Sequence, residues 1–157
     1  MAVRHRVIGR SREAVWTVLE NPRLYGDWVT GVASTRPIDE QWPAVGTALA
    51  YTIAVGRWSY EGYTVVRRHE PPDWLELEAH SGRLGTARVS IELRTWGEQT
   101  LIIVDEHPLR GFGGTVHVAP LEVFIQLRHR NLLANLARTV ERTTPAAAGV
   151  AGATAAA

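Results

Sequence analysis

The chain has 157 residues, with 17 basic and 16 acidic side chains, a formal net charge of +1 and no cysteine. That length suits one domain, which can bury roughly 70% of its unfolded surface without staples. Without thiols there are no disulfides and no cysteine-ligated zinc or iron–sulfur centres, which fits a reducing compartment. The near-balanced charge gives no electrostatic reason to expect nucleic acid or an acidic membrane surface as partner. Every basic residue is arginine, a usage that fits coding bias better than a phosphate-binding surface. The basic run from Arg4 to Arg12 is placed on a solvated strand face. The first residues, MAVRHRVIGR, hold no apolar run of signal-peptide length, and no 18-residue apolar segment follows. The expectation is a cytoplasmic protein with no integral membrane association.

Ala2 to Ile8 reads as a short strand ending at Gly9. Ser11 then offers a helix N-cap, and Glu13 sits well against the positive end of the helix dipole. Ala14, Val15, Val18 and Leu19 recur at helical spacing. Asn21-Pro22 stops this helix and can open a second, short one over Pro22 to Trp28. From Val29 the period changes to two. Strands are predicted over Val32 to Ile38, Thr47 to Ala54, Ser59 to Arg68, Trp74 to Ala79, Ala87 to Arg94 and Thr100 to His107. Glu70-Pro71-Pro72-Asp73 is a strong turn between two of them. Ala87 to Arg94 shows the cleanest alternation, with Ala87, Val89, Ile91 and Leu93 against Arg88, Ser90, Glu92 and Arg94. The inward phase of Ser59 to Arg68 stays open: either Tyr60 and Thr64 face in, or Tyr63 and Val65 do. Pro120 opens a long helix to about Arg142, with Leu121, Ile125, Leu132, Leu136 and Val140 as its apolar stripe. The remainder, residues 144–157, holds only small residues, Pro, Thr and Val, and is expected to be a disordered tail behind a domain of residues 1–143.

Seven strands cannot hide one sheet face behind two short helices, so the long helix must cover it. The expected architecture is an α+β helix-grip fold: a seven-stranded curved antiparallel sheet, two short helices after strand 1, and a long C-terminal helix across the concave face. Where sheet and helix diverge, space is left. The inward phase carries Tyr51, Tyr60 and Trp58 beside aliphatics, the composition of a small-molecule pocket.

Several stretches carry a family likeness: VWTVLENPRLYGDWV, WPAVGTALAYTIAVG, VVRRHEPPDWLEL, VDEHPLRGFGG and LRHRNLLANLARTVER. In that order and spacing the chain resembles the START-like (SRPBCC) superfamily, and most nearly its polyketide cyclase/dehydrase and lipid-transport branch. The resemblance covers about residues 3 to 142. It implies a hydrophobic cavity between sheet and C-terminal helix, while the fold itself hosts carriers, cyclases, hydrolases and co-chaperones alike.

Glu106 shares the strand phase of Ile102 and Val104 and so points inward. Arg128 falls on the stripe of the long helix. The two are candidate catalytic or ligand-orienting residues, or else a structural ion pair. Trp28, Leu49, Tyr51, Ile53, Trp58, Tyr60, Leu77, Val89, Ile91, Val104, Leu121 and Phe124 are candidate ligand contacts. Asp105, Glu106 and His107 are neighbours on a strand and face opposite sides, so no metal site is expected. No GxSxG elbow occurs. Gly111, Gly113 and Gly114 suit a flap or a plain connector better than a phosphate loop. No cofactor is expected. Three functions remain open: a binding protein for a lipid, polyketide or aromatic metabolite; a cyclase or dehydratase using Glu106 as acid/base; and a co-chaperone-like interaction module without ligand. A homodimer also remains open.

Overall fold

A computed structural model describes residues 2–82, 85–110 and 119–146. The elements run β1 (Ala2–Ile8), α1 (Arg12–Leu19), α2 (Tyr25–Trp28), β2 (Val32–Pro37), β3 (Ala48–Val55), β4 (Trp58–Glu70), β5 (Trp74–His80), β6 (Thr86–Trp96), β7 (Gln99–Arg110) and α3 (Ala119–Thr143). Every strand pairing is antiparallel, and the seven-stranded sheet has the order β1-β7-β6-β5-β4-β3-β2. This is the expected helix-grip arrangement, a meander whose first strand closes on its last.

Local chemistry explains the helix boundaries. The Ser11 hydroxyl accepts from the Ala14 amide at 3.2 Å and caps α1. Asn21 does not open the predicted helix over Pro22 to Trp28. Its side chain accepts from the Arg23 amide at 3.0 Å and its carbonyl from Leu24 at 3.1 Å, which makes a turn. Helix α2 therefore starts only at Tyr25. The expected tail falls largely in residues 147–157, outside the described residues.

The strand registers sort the faces, because residues directly opposite one another point to the same side. Val104, Ile91 and Leu75 form one such row, and Ile102 and Leu93 another. All five are buried in one hydrophobic cluster with Val15, Val18 and Leu19 of α1 and Trp28 of α2. The second half of α3 adds Leu132, Leu133, Leu136, Ala137 and Val140. Of the predicted stripe, Leu132, Leu136 and Val140 are thus core. Each such side chain contributes about 1.5–3 kcal/mol when fully buried. Polar bonds pin the same half of the helix. Arg10 donates to the carbonyls of Thr144 at 3.3 Å and Glu141 at 3.2 Å, Asn135 to the Thr30 hydroxyl at 3.0 Å, and Arg142 to Asp27 at 2.7 Å.

The phase of β4 is resolved: Thr64 and Val66 are buried on the inner face, opposite Ala79 and Leu77. Gly62 shares that face opposite Tyr51. A Cβ at Gly62 would lie 2.6 Å from the His80 carbonyl oxygen and 2.7 Å from the Tyr51 ring. The Tyr51 ring therefore rests on bare backbone. Gly62→Ala should push this ring off its seat and lower stability by about 1–3 kcal/mol in chemical denaturation.

On the outer face, Glu78 is only 8% exposed. Its carboxylate accepts from Arg67 at 3.1 and 3.0 Å and from Arg88 at 3.2 Å, and lies 2.8 Å from His80 Nε2. Tyr63 stacks on His80 at 4.6 Å. Hydrogen bonds from Arg67, then Arg88 and His80, outweigh burial and pull the Glu78 carboxyl down to about 2. A carboxyl lowered on folding stabilises the protein above its unfolded pKa, and that contribution fades as pH falls through the folded value. Stability should therefore drop as pH falls from about 5 towards 2. Glu78→Gln should cost about 2 kcal/mol near neutral pH, discounted for half-exposed arginine partners, and much less at pH 2 to 3. Denaturant midpoints measured across that range check both statements.

Candidate functional site

The inner face is not uniformly sealed. Toward one end of the sheet, the rows built by Ile102, Leu93, Val104, Ile91 and Leu75 are closed by α1 and the second half of α3. Toward the other end, burial loosens. Val89, Ala87 and Glu106 are only partly buried, and so is Gly62. Tyr60, opposite Ile53, is 41% exposed, and Trp58, opposite Val55, is 67% exposed. This end carries the β3–β4 hairpin and the β5–β6 turn, where Gly56, Gly82 and Gly85 adopt positive φ. Gly85 sits at φ 100 and Gly82 at φ 56, conformations that favour glycine.

Two hydroxyl pairs mark the inner face beside this corner. Tyr25 Oη lies 2.8 Å from Thr64 Oγ1, and Tyr51 Oη lies 2.8 Å from Ser81 Oγ. Tyr51 also reaches the His80 carbonyl at 3.4 Å. The two tyrosine rings stack at 6.0 Å, and Trp28 meets Tyr25 edge-on at 5.2 Å. The Trp28 Nε1 is buried and finds no hydrogen-bond partner among the described residues. Aromatic and hydroxyl groups thus run from the core to the loosened corner. Such a wall can hold apolar carbon and orient an oxygen function.

The structure divides the sequence candidates. Glu106 lies opposite Val89 on the inner phase, as its alternation predicts, and is half-buried. Tyr51 is inside, bonded to Ser81. Leu49, Ile53 and Ile91 are packed by protein with essentially no accessible surface, and Leu77 and Val104 nearly so. They belong to the same buried hydrophobic cluster as side chains of α1, α2 and the second half of α3. Trp58 and Tyr60 share the inner phase and are exposed at the end of the sheet that carries the β3–β4 hairpin. Trp28 is core against Tyr25. The side chains of Leu121, Phe124 and Arg128 lie outside the described residues, as does the glycine segment Gly111 to Gly114. Sequence reasoning left Thr64 as one of two open phases and missed Tyr25, Ser81 and Gly62. Ser81 continues the buried alternation of Leu75, Leu77 and Ala79, whereas only the fold brings Tyr25 of α2 onto Thr64 of β4.

A shallow cleft of about 420 Å³ lies over β2, β3 and β4, with Arg36, Ala50, Thr52, Glu61 and Tyr63 in its lining. It opens on the outer face and is separated from the inner corner by the sheet. Among the described residues, no group of three or more His, Asp or Glu is placed to hold a metal ion. Among them, too, no helix is long and apolar enough to cross a membrane.

No family model matches the sequence, and no curated protein matches it either. Solved structures do. The chain is similar to TTHA0849 from Thermus thermophilus at 12% identity and TM-score 0.71, covering 92% of this chain and 99% of that one. Ara h 8.0201 matches at 9% identity and TM-score 0.68, over 88% and 95% of the two chains. The di-domain ARO/CYC StfQ from the steffimycin biosynthetic pathway matches at 9% identity and TM-score 0.69, over 90% of this chain and 45% of its own. The chain shares the helix-grip fold of these structures.

Tyr51→Phe tests the hydroxyl wall. It removes the partner of a buried Ser81 and should cost about 1 kcal/mol in denaturant unfolding. An unchanged midpoint would show that the pair is not formed in solution.

Proposed function

We propose that residues 1–143 form a binding domain for a small hydrophobic molecule, a lipid, polyketide or aromatic metabolite, held between the inner sheet face and α3. The observation that carries this reading is the contrast in burial along one face. The rows around Ile91, Leu93 and Ile102 are fully covered, whereas Ala87, Val89, Glu106, Gly62 and Tyr60 on the same face are not. An apolar ligand filling that corner would gain about 25 cal/mol per Å² of buried apolar surface, before association costs. Tyr51 and Ser81 supply oxygen-directed bonds on one side, Glu106 a carboxylate on the other. The START-like neighbours support the same reading, since one is an ARO/CYC protein of a biosynthetic pathway.

Native mass spectrometry of the purified protein tests it. A co-purified small molecule that is lost on mild organic extraction is the expected result. A bare mass, together with no binding of pentadecanoate or anthracene-2-carboxylate by calorimetry, contradicts it.

Glu106 favours a second reading, an acid/base role in a cyclase- or dehydratase-type reaction. It is a half-buried carboxylate on the inner face, within the partly covered row of Val89. Under this reading Glu106→Gln removes turnover of a polyketide substrate while leaving its binding within about threefold. Under the carrier reading the variant changes affinity alone.

A further inference from the structure

We infer that the inner site takes a planar aromatic molecule rather than a saturated chain, and that Trp58 and Tyr60 clamp its outer end. The inference rests on the binding reading above and narrows it to a ligand class.

An aromatic series runs along the inner face and the helix above it. Trp28 packs edge-on against Tyr25, and Tyr25 stacks with Tyr51 at an interplanar angle of 24°. Tyr51 lies over Gly62, where any side chain would collide with its ring. The next inner-face positions of the same strand, beyond Gly62, are Tyr60 and then Trp58. The inner half of the series is closed, each ring meeting another ring. The outer half is not: Tyr60 and Trp58 take part in none of the ring–ring contacts found among the described residues and are 41% and 67% exposed. Glycine at position 62 keeps the strand between the two halves flat and free of side chain.

A wide exposed indole on a sheet's inner phase is unfavourable left in water. Its flat faces gain most from another flat π-surface, by offset stacking or edge-on contact. A saturated chain would bury similar area without that additional term. By register Trp58 closes the β3–β4 hairpin opposite Val55, next to the Gly56–Arg57 turn, and its strand phase is that of Tyr60 on the inner face.

The experiment compares two carboxylates of equal carbon number, anthracene-2-carboxylate and pentadecanoate, by calorimetry on the full chain. Variants are Trp58→Ala, Trp58→Phe and Tyr60→Ala; Trp58 is exposed, so its replacement leaves the core intact. The expected result is tighter binding of the aromatic probe, weakened about tenfold by Trp58→Ala and largely kept by Trp58→Phe, with pentadecanoate changed by less than about threefold. Equal losses for both probes, or tighter binding of pentadecanoate, overturn the aromatic class while leaving the binding site standing. Binding of neither probe removes the site itself. If Trp58→Ala abolishes sedimentation with phosphatidylglycerol vesicles and leaves both probe affinities unchanged, the hairpin serves a lipid surface and the inference is wrong.

Discussion

Everything in this molecule depends on how far α3 is fastened to the sheet. Its second half is fastened twice. Leu132, Leu133, Leu136, Ala137 and Val140 enter the common hydrophobic cluster, and Arg10, Asn135 and Arg142 tie the same stretch to its surroundings by hydrogen bonds. Apolar burial supplies most of the energy, and the polar bonds fix the helix rotation at small net gain. On the inner sheet face burial is graded, complete at Ile102 and Ile91 and partial at Val89, Glu106 and Tyr60.

The two faces of the sheet have different chemistry because they have different tasks. The outer face binds its charges to one another: Glu78 holds Arg67, Arg88 and His80, while Glu76 lies 3.3 Å from Arg88. Such a network ties β4, β5 and β6 together across their width, although the buried Arg88 Nε finds no hydrogen bond among the described residues. The inner face spends its polarity sparingly, on Tyr25, Thr64, Tyr51 and Ser81, each with a described partner of its own. The contrast explains why the outer cleft beside Arg36 and Tyr63 and the inner corner are distinct places. One is a dip in a charged surface, whereas the other is a partly covered apolar wall.

Much of this architecture is legible in the sequence. Alternation from Ala87 to Arg94 sets the inner phase of β6, and Glu106 follows the same rule on β7. The Ser11 cap and the Pro71-Pro72 turn are local signals that survive in the fold. What the sequence conceals is extent. Periodicity leaves the side that Tyr60 faces open, and only its pairing with the buried Ile53 sets it on the inner face. It likewise marks Leu49, Ile53 and Ile91 as inward without telling core from cavity wall, since both are apolar. Gly62 and the Glu78 cluster are contacts between strands, and their partners become neighbours only once the register is set. A tyrosine opposite a glycine on paired strands, and arginines flanking an outward glutamate, are the patterns that would have pointed to them.

The central claim is that an apolar ligand occupies the loosened corner of the inner face and leaves the closed end untouched. Hydrogen–deuterium exchange with and without saturating anthracene-2-carboxylate tests it most directly. The account predicts slower exchange in the segments spanning residues 58–64, 79–89 and 104–107 and in the first half of α3, with residues 91–93 and 132–140 unchanged. Protection confined to β2 and β3 around the outer cleft, or none anywhere despite saturation, would contradict it.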